Sequence, residues 1–159
     1  MSDAVQLLSE QHAEVTALFM KLDRLADPRT SLQVFRLIDG KLRDHATIEE
    51  QIFYPAFRER ARNHMQEEEI AQALHEHSEM KAALAECERV HVGGDAFARH
   101  TAHLKQLVQE HVQEEERGIL RQARRLFTQD QLDDLGSQMI KRASLHSSVY
   151  EMAGPSAKT

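Results

Sequence analysis

Four histidines lie far apart in this chain, and two of them are followed one helical turn later by glutamate: His12, His45 with Glu49, His77, and His111 with Glu115. On a helix a spacing of four sets side chains about 40° apart, so each His–Glu pair projects from one face. Imidazole nitrogen with carboxylate oxygen is a donor set suited to iron, manganese or zinc. The motif alone is weak, because the chain has 10 His. His64/Glu68 and His75/Glu79 show the same spacing, but they lie off the main apolar stripe and read as surface pairs. Duplication is the stronger signal. The segment Glu10-Gln11-His12 resembles Glu76-His77, and Asp44-His45 through Glu50 resembles Glu110-His111 through Glu116. His12 to His45 spans 33 residues and His77 to His111 spans 34. Two helix hairpins, each bringing His plus His-x-x-x-Glu, predict a pseudo-two-fold site. Each half would supply two imidazoles to one metal, and both glutamates could bridge the pair.

The elements that must position these residues are helices. The chain has 159 residues, 6 Gly and 3 Pro, with 41% hydrophobic and 29% charged residues, which fits one folded all-α domain. Runs over about 3–26, 31–62, 65–91 and 95–127 carry apolar residues at i, i+3, i+4, i+7 intervals. Asp3, Ser31 and Asp95 are the expected caps, and Pro55 should kink or break the second run. In each stripe the central gap is filled by one of the four histidines. His12 stands between Leu8 and Val15, His45 between Leu42 and Ile52, His77 between Leu74 and Met80, and His111 between Val108 and Ile119. Four such helices, each roughly 37 Å long, predict an up-down-up-down four-helix bundle over residues 1–127. Mid-helix histidines would then meet at one level. Thr128 with Gln131 opens a short extra C-terminal helix, 128–147, which caps the bundle, and 148–159 is expected to be a flexible tail.

A net charge of −6, from 20 Lys+Arg against 26 Asp+Glu, argues against nucleic acid as a partner. No apolar run is long enough for a membrane span. The N-terminus lacks the basic and apolar regions of a secretion signal, so a cytoplasmic location is expected. Cys87 is the single cysteine, which excludes an internal disulfide and a multi-cysteine metal site.

The order His12, His45-x-x-x-Glu49-Glu50 with Phe53-Tyr54-Pro55, Glu76-His77 and His111-x-x-x-Glu115-Glu116 resembles the hemerythrin-like, or HHE cation-binding, family. The resemblance covers about residues 5–125. It implies a non-haem centre of two iron ions, oxo- or hydroxo-bridged, with His12, His45, Glu49, His77, His111 and Glu115 as ligands; manganese or zinc are alternatives. Oxygen-carrying members place a second histidine one turn from the third-helix ligand, where this chain has Ala73 and Lys81. One metal is therefore expected to keep an open or water-filled position, or to take another ligand. The small-molecule partner implied is oxygen or peroxide. The leading function is binding or sensing of a small oxidant. The alternatives are a peroxide-decomposing or nitric-oxide-handling enzyme, and a metal-stabilised iron-storage or iron-sensing scaffold.

His12 or His77 taken singly is a hydrogen-bonded core histidine, and only the joint placement with two glutamates reverses that. Glu50 and Glu116 follow the ligands directly and read as solvated, with a supporting role behind the ligands as the other option. Tyr54 reads as packing, Lys81 as snorkelling outward, and Cys87 as a small core residue. His64, His75, His91, His100, His103 and His146 read as surface or bundle-end positions.

Overall fold

The computed structural model describes residues 2–152, with side chains through Ala143. Seven α-helices follow one another: α1 (Ala4–Asp23), α2 (Pro28–Ile48), α3 (Tyr54–Arg60), α4 (His64–Glu88), α5 (Asp95–Arg117), α6 (Ile119–Leu126) and α7 (Gln129–Met152). A π-helical turn, Glu49–Phe53, joins α2 to α3. There is no strand among the described residues. Helices α1 and α2 form one hairpin and α4 and α5 the other, and the two hairpins pack into the expected four-helix bundle. None of the helices is long and apolar enough to cross a membrane.

Local chemistry sets the boundaries. Asp3 accepts from Gln6 N while the Gln6 side chain accepts from Asp3 N, which closes a capping box on α1. Helix α2 starts earlier than the cap at Ser31 suggested. Asp27 accepts from Thr30 N and Pro28 occupies the first turn, where its missing N–H costs nothing. Gly94 rather than Asp95 is the residue before α5, and Asp95 lies in the first turn. The fourth run divides at Gly118, where α5 gives way to α6. A Cβ there would sit 2.9 Å from the Glu114 carbonyl oxygen. Thr128 and Gln131 form the expected reciprocal cap. Helix α7 continues to Met152 rather than ending near residue 147, so the expected tail begins inside it. Residues 153–159, and the side chain of His146, lie outside the described set.

The core is split in two along the bundle. At one end Val15, Phe19, Ile38, Leu84 and Leu104 pack together. At the other end Leu8, Phe53, Phe57, Ile70, Leu120, Leu132 and Met139 do so. The four histidines lie between these clusters in sequence. One expected stripe residue departs: Leu74 is exposed, and Ala73 takes the inward position.

The extra helix seals one end. Leu132, Leu135 and Met139 are buried on α7, which packs on α1, α2 and the π turn, while Ile140 stays exposed. Asp3 is a polar rivet for this end. Burial opposes its charge, but hydrogen bonds from Arg124, Gln6 N and Gln129 hold its carboxyl below the usual range. Gly136 of α7 crosses directly over the chain at the start of α1. A Cβ at Gly136 would lie 2.7 Å from Ser2 O and 3.0 Å from Ala4 N, both backbone atoms. Gly136→Ala is therefore expected to destabilise the protein by about 1–3 kcal/mol, despite alanine's better helix propensity. Urea denaturation would read this as a lower midpoint. A midpoint raised by the substitution would show that α7 does not dock this closely.

Candidate metal centre

All six residues singled out from sequence converge in one buried volume. His12, His45, Glu49, His77, His111 and Glu115 are each at most 6% exposed. Their donor atoms form two overlapping groups: His12, His45, Glu49 and Glu115 in one, and His77, His111, Glu49 and Glu115 in the other. Within each group the donors lie within 4.8 Å of one another. The two glutamates are common to both, and each divides its oxygens between the histidine pairs. Glu49 Oε1 is 2.7 Å from His45 Nε2, and its Oε2 is 2.9 Å from His77 Nε2. Glu115 Oε1 is 3.3 Å from His12 Nε2, and its Oε2 is 3.5 Å from His111 Nε2.

The outer ring nitrogens determine what the inner ones can do. His12 Nδ1 donates to Glu116 at 2.9 Å, His45 Nδ1 to the amide oxygen of Gln11 at 2.6 Å, His77 Nδ1 to Glu50 at 2.8 Å and His111 Nδ1 to Glu76 at 3.0 Å. These partners accept protons, so each neutral imidazole carries its hydrogen on Nδ1 and turns an Nε2 lone pair inward. His12 Nε2 and His45 Nε2 then face each other at 3.1 Å. Lone pairs and carboxylates facing one another repel unless a cation lies between them. Glu49 Oε1, Glu115 Oε1 and His111 Nε2 have no hydrogen-bond partner, although they are buried. Such orphaned donor atoms, chemically suited to divalent metal, are what a metal cage requires. The residues present fit divalent metal.

Glu50 and Glu116, read from sequence as solvated, turn out to be orienting groups. Each reaches from its own helix to a histidine on another, and Lys81, half-exposed, holds Glu50 at 3.1 Å. Glu76 and Gln11, each adjacent to a cage histidine, do the same from α4 and α1. The faint signal was their position immediately before His77 and His12.

Tyr54 departs from the packing role expected of it. It is 2% exposed, and its hydroxyl is 2.7 Å from Glu49 Oε2, close to Glu115 Oε2 and 3.4 Å from His77 Nε2. The π turn explains its placement. Pro55 has no N–H to donate, and the helix widens ahead of it so that Tyr54 N bonds to Glu49 O, five residues back. That extra residue rotates Tyr54 onto the face of Glu49. The side lacking an imidazole, because Ala73 and Lys81 stand on α4, thus holds a phenol. Burial and then the two carboxylates push the phenol's pKa up, so it stays a proton donor.

Without metal, protons balance the cage. Burial opposes charge on His12 and His111, but the facing carboxylates win and raise them to about 9 and about 11. His77 is raised for the same reason. The two glutamates separate: Glu49, despite burial, is held well below the carboxylate range by His45, whereas burial and the Glu49 charge raise Glu115. A cavity of about 350 Å³ reaches this cage from the surface between α4 and α5, with Ala73, Gly118, Ile119, His111 and Glu115 among its walls. The remaining histidines stand apart. His64 and His75 form exposed pairs with Glu68 and Glu79. His91 and His103 are exposed and His100 half-buried. Cys87 is a buried thiol whose pKa burial raises to about 11.

Comparison with known proteins agrees with this geometry. The family model for the hemerythrin HHE cation binding domain matches residues 3–123. A DNA nickase from Nostoc sp. is 27% identical over 127 residues, covering 80% of this chain but 35% of that protein, so the chain spans about a third of that relative's length. The crystal structure of a hemerythrin HHE cation binding domain-containing protein from Mycobacterium kansasii superposes with a TM-score of 0.82 at 23% identity. That superposition covers 98% of this chain and 94% of the other, and it shows a shared fold.

Competition between protons and metal gives a signed pH effect. His12 and His111 are raised above an ordinary value of 6.5, so their contribution to the metal-free fold is complete below pH 6.5. It fades as pH climbs through about 9 and then about 11. Metal displaces those same protons, so it binds more tightly as pH rises. The melting temperatures of chelated and metal-loaded protein should therefore diverge between pH 6.5 and 9 in calorimetry. Convergence over that range would contradict the cage.

Proposed function

The chain belongs to the hemerythrin HHE cation-binding family, and from that premise we propose that it holds two iron ions and binds or senses a small oxidant. The observation that carries the proposal is the division of Glu49 and Glu115 oxygens between two histidine pairs, which suits two ions and not one. His12 and His45 would hold one ion, and His77 and His111 the other, with both glutamates shared. When bound, such a pair supplies electrons to, or takes them from, a small ligand such as oxygen or peroxide.

The protein's own groups do the rest. Glu116, Gln11, Glu50 and Glu76 fix the four ring orientations. The apolar clusters on either side keep bulk water out and strengthen every charge interaction within the cage. Tyr54 keeps a proton at its hydroxyl oxygen, directed at the shared carboxylates. The cavity beside Ala73 gives a small molecule a way to the His111 and Glu115 side.

That cavity and the Tyr54 proton also favour a second reading, peroxide decomposition to water and oxygen, in which a donor beside the reacting centre is useful. Metal analysis of protein from iron-fed cells tests the main proposal. Near two irons per chain and near-ultraviolet charge-transfer bands are expected, both lost in His45→Ala and Glu115→Ala. Iron-free protein that cannot be reconstituted would overturn it. Oxygen release from added peroxide, abolished in the same variants, selects the second reading, and stoichiometric bleaching selects binding. Ala73→Leu fills the cavity wall, so it should slow ligand association several-fold while iron content stays the same. Unchanged association at full iron content would place the access route elsewhere.

A further inference from the structure

A second cavity, about 540 Å³, lies where the start of α4 faces the α5–α6 corner. It is of the size that small organic ligands occupy. Three arginines, Arg117, Arg121 and Arg125, line it at intervals of four residues, and all three are exposed. Met65, 68% exposed, and Leu126 give it an apolar wall. The surrounding protein is acidic, with a net charge of −6. Two other arginines at this end are paired, Arg58 with Glu67 and Arg124 with Asp3, and Arg60 lies over the Phe127 ring. Among the described residues the three groove arginines form no ion pair. Glu69, the one carboxylate on the groove wall, is taken by the Gln122 amide at 2.7 Å, and Gln122 is itself held by Gln66 at 3.0 Å. The amides hold Glu69 in place but leave its charge, so the groove sets three guanidinium groups against one carboxylate.

Helix stabilisation accounts for two of these arginines but not for Arg121. Arg125 falls in the last turn of α6 and Arg117 in that of α5, where positive charge is favourable. Arg121, however, is the third residue of α6. There it opposes the positive end of the helix dipole, and no acidic residue in that turn offsets it. A local cost without a local gain marks a position kept for something outside the helix.

We propose that this groove binds a small organic phosphate, with the phosphate on the guanidinium groups of Arg117, Arg121 and Arg125 and the organic body against Met65 and Leu126. Planar guanidinium groups match phosphate oxygens in pairs, and three of them suit a dianionic ester better than a single carboxylate. The groove shares Glu69 and Arg117 with the cavity that leads to the metal centre. A bound molecule would therefore lie beside that opening.

Titration of the full chain, as purified, with adenosine monophosphate tests the proposal by calorimetry and by amide and arginine Nε chemical shifts. Saturable 1:1 binding is expected with Kd below ~1 mM, an affinity of roughly 4 kcal/mol. It should weaken as salt rises. Shifts should map to Arg117, Arg121, Arg125 and Met65. Arg121→Gln with Arg125→Gln should weaken binding at least about tenfold, whereas Arg99→Gln, an exposed arginine elsewhere, should not. Inorganic phosphate should bind the same residues more weakly, because it lacks the body. No saturation by ~10 mM, or an equal effect of Arg99→Gln, overturns the proposal. Shifts on the unsubstituted chain that avoid the groove overturn it without reliance on any variant. Tighter binding of duplex DNA through the same arginines would overturn the small-ligand assignment. None of these readouts depends on iron, so failure here is separable from failure of the metal centre.

Discussion

Two carboxylates placed face to face out of reach of water are the constraint around which this protein is organised. A buried carboxylate costs several kcal/mol unless it is paired, and a second beside it raises the cost. The four imidazoles around Glu49 and Glu115 offer lone pairs and no protons while their Nδ1 hydrogens are committed outward. The cage is consistent only with positive charge inside it. Protons on His12 and His111 supply that charge in the metal-free state, and divalent ions supply it better because each engages several donors at once.

The remaining structure holds this level steady. One apolar cluster lies on each side of the cage, so the polar level is clamped from both directions. The orienting acceptors run between helices, from α5 to α1, from the π turn to α4 and from α4 to α5, so helix packing and ring orientation are one problem. Helix α7, riveted through Asp3 and pressed onto the chain at Gly136, closes the cluster that contains Phe53 and Phe57.

Much of this could be read from residue types and spacing. The bundle followed from the apolar periodicity, and the six cage residues from their central place in each stripe. What escaped notice has particular physical causes. The role of Tyr54 depends on a π turn, and Pro55 announced a break without saying that the helix would widen by one residue instead of ending. Glu50 and Glu116 point away from their own histidines, as the helix period requires, yet reach histidines on neighbouring helices, which one-dimensional spacing cannot show. The break at Gly118 was hidden because a single glycine in a long polar helix is a weak signal. Leu74 was read as inward on the α4 stripe because hydrophobicity favours leucine for the inside, whereas the helix turns Ala73 to the core and leaves Leu74 exposed.

Anomalous diffraction from crystals of iron-loaded protein, recorded above and below the iron absorption edge, addresses the central claim most directly. The account predicts two iron peaks inside the cage, one beside His12 and His45 and the other beside His77 and His111, with Glu49 and Glu115 touching both. A single peak, or none within reach of those six side chains, would contradict it.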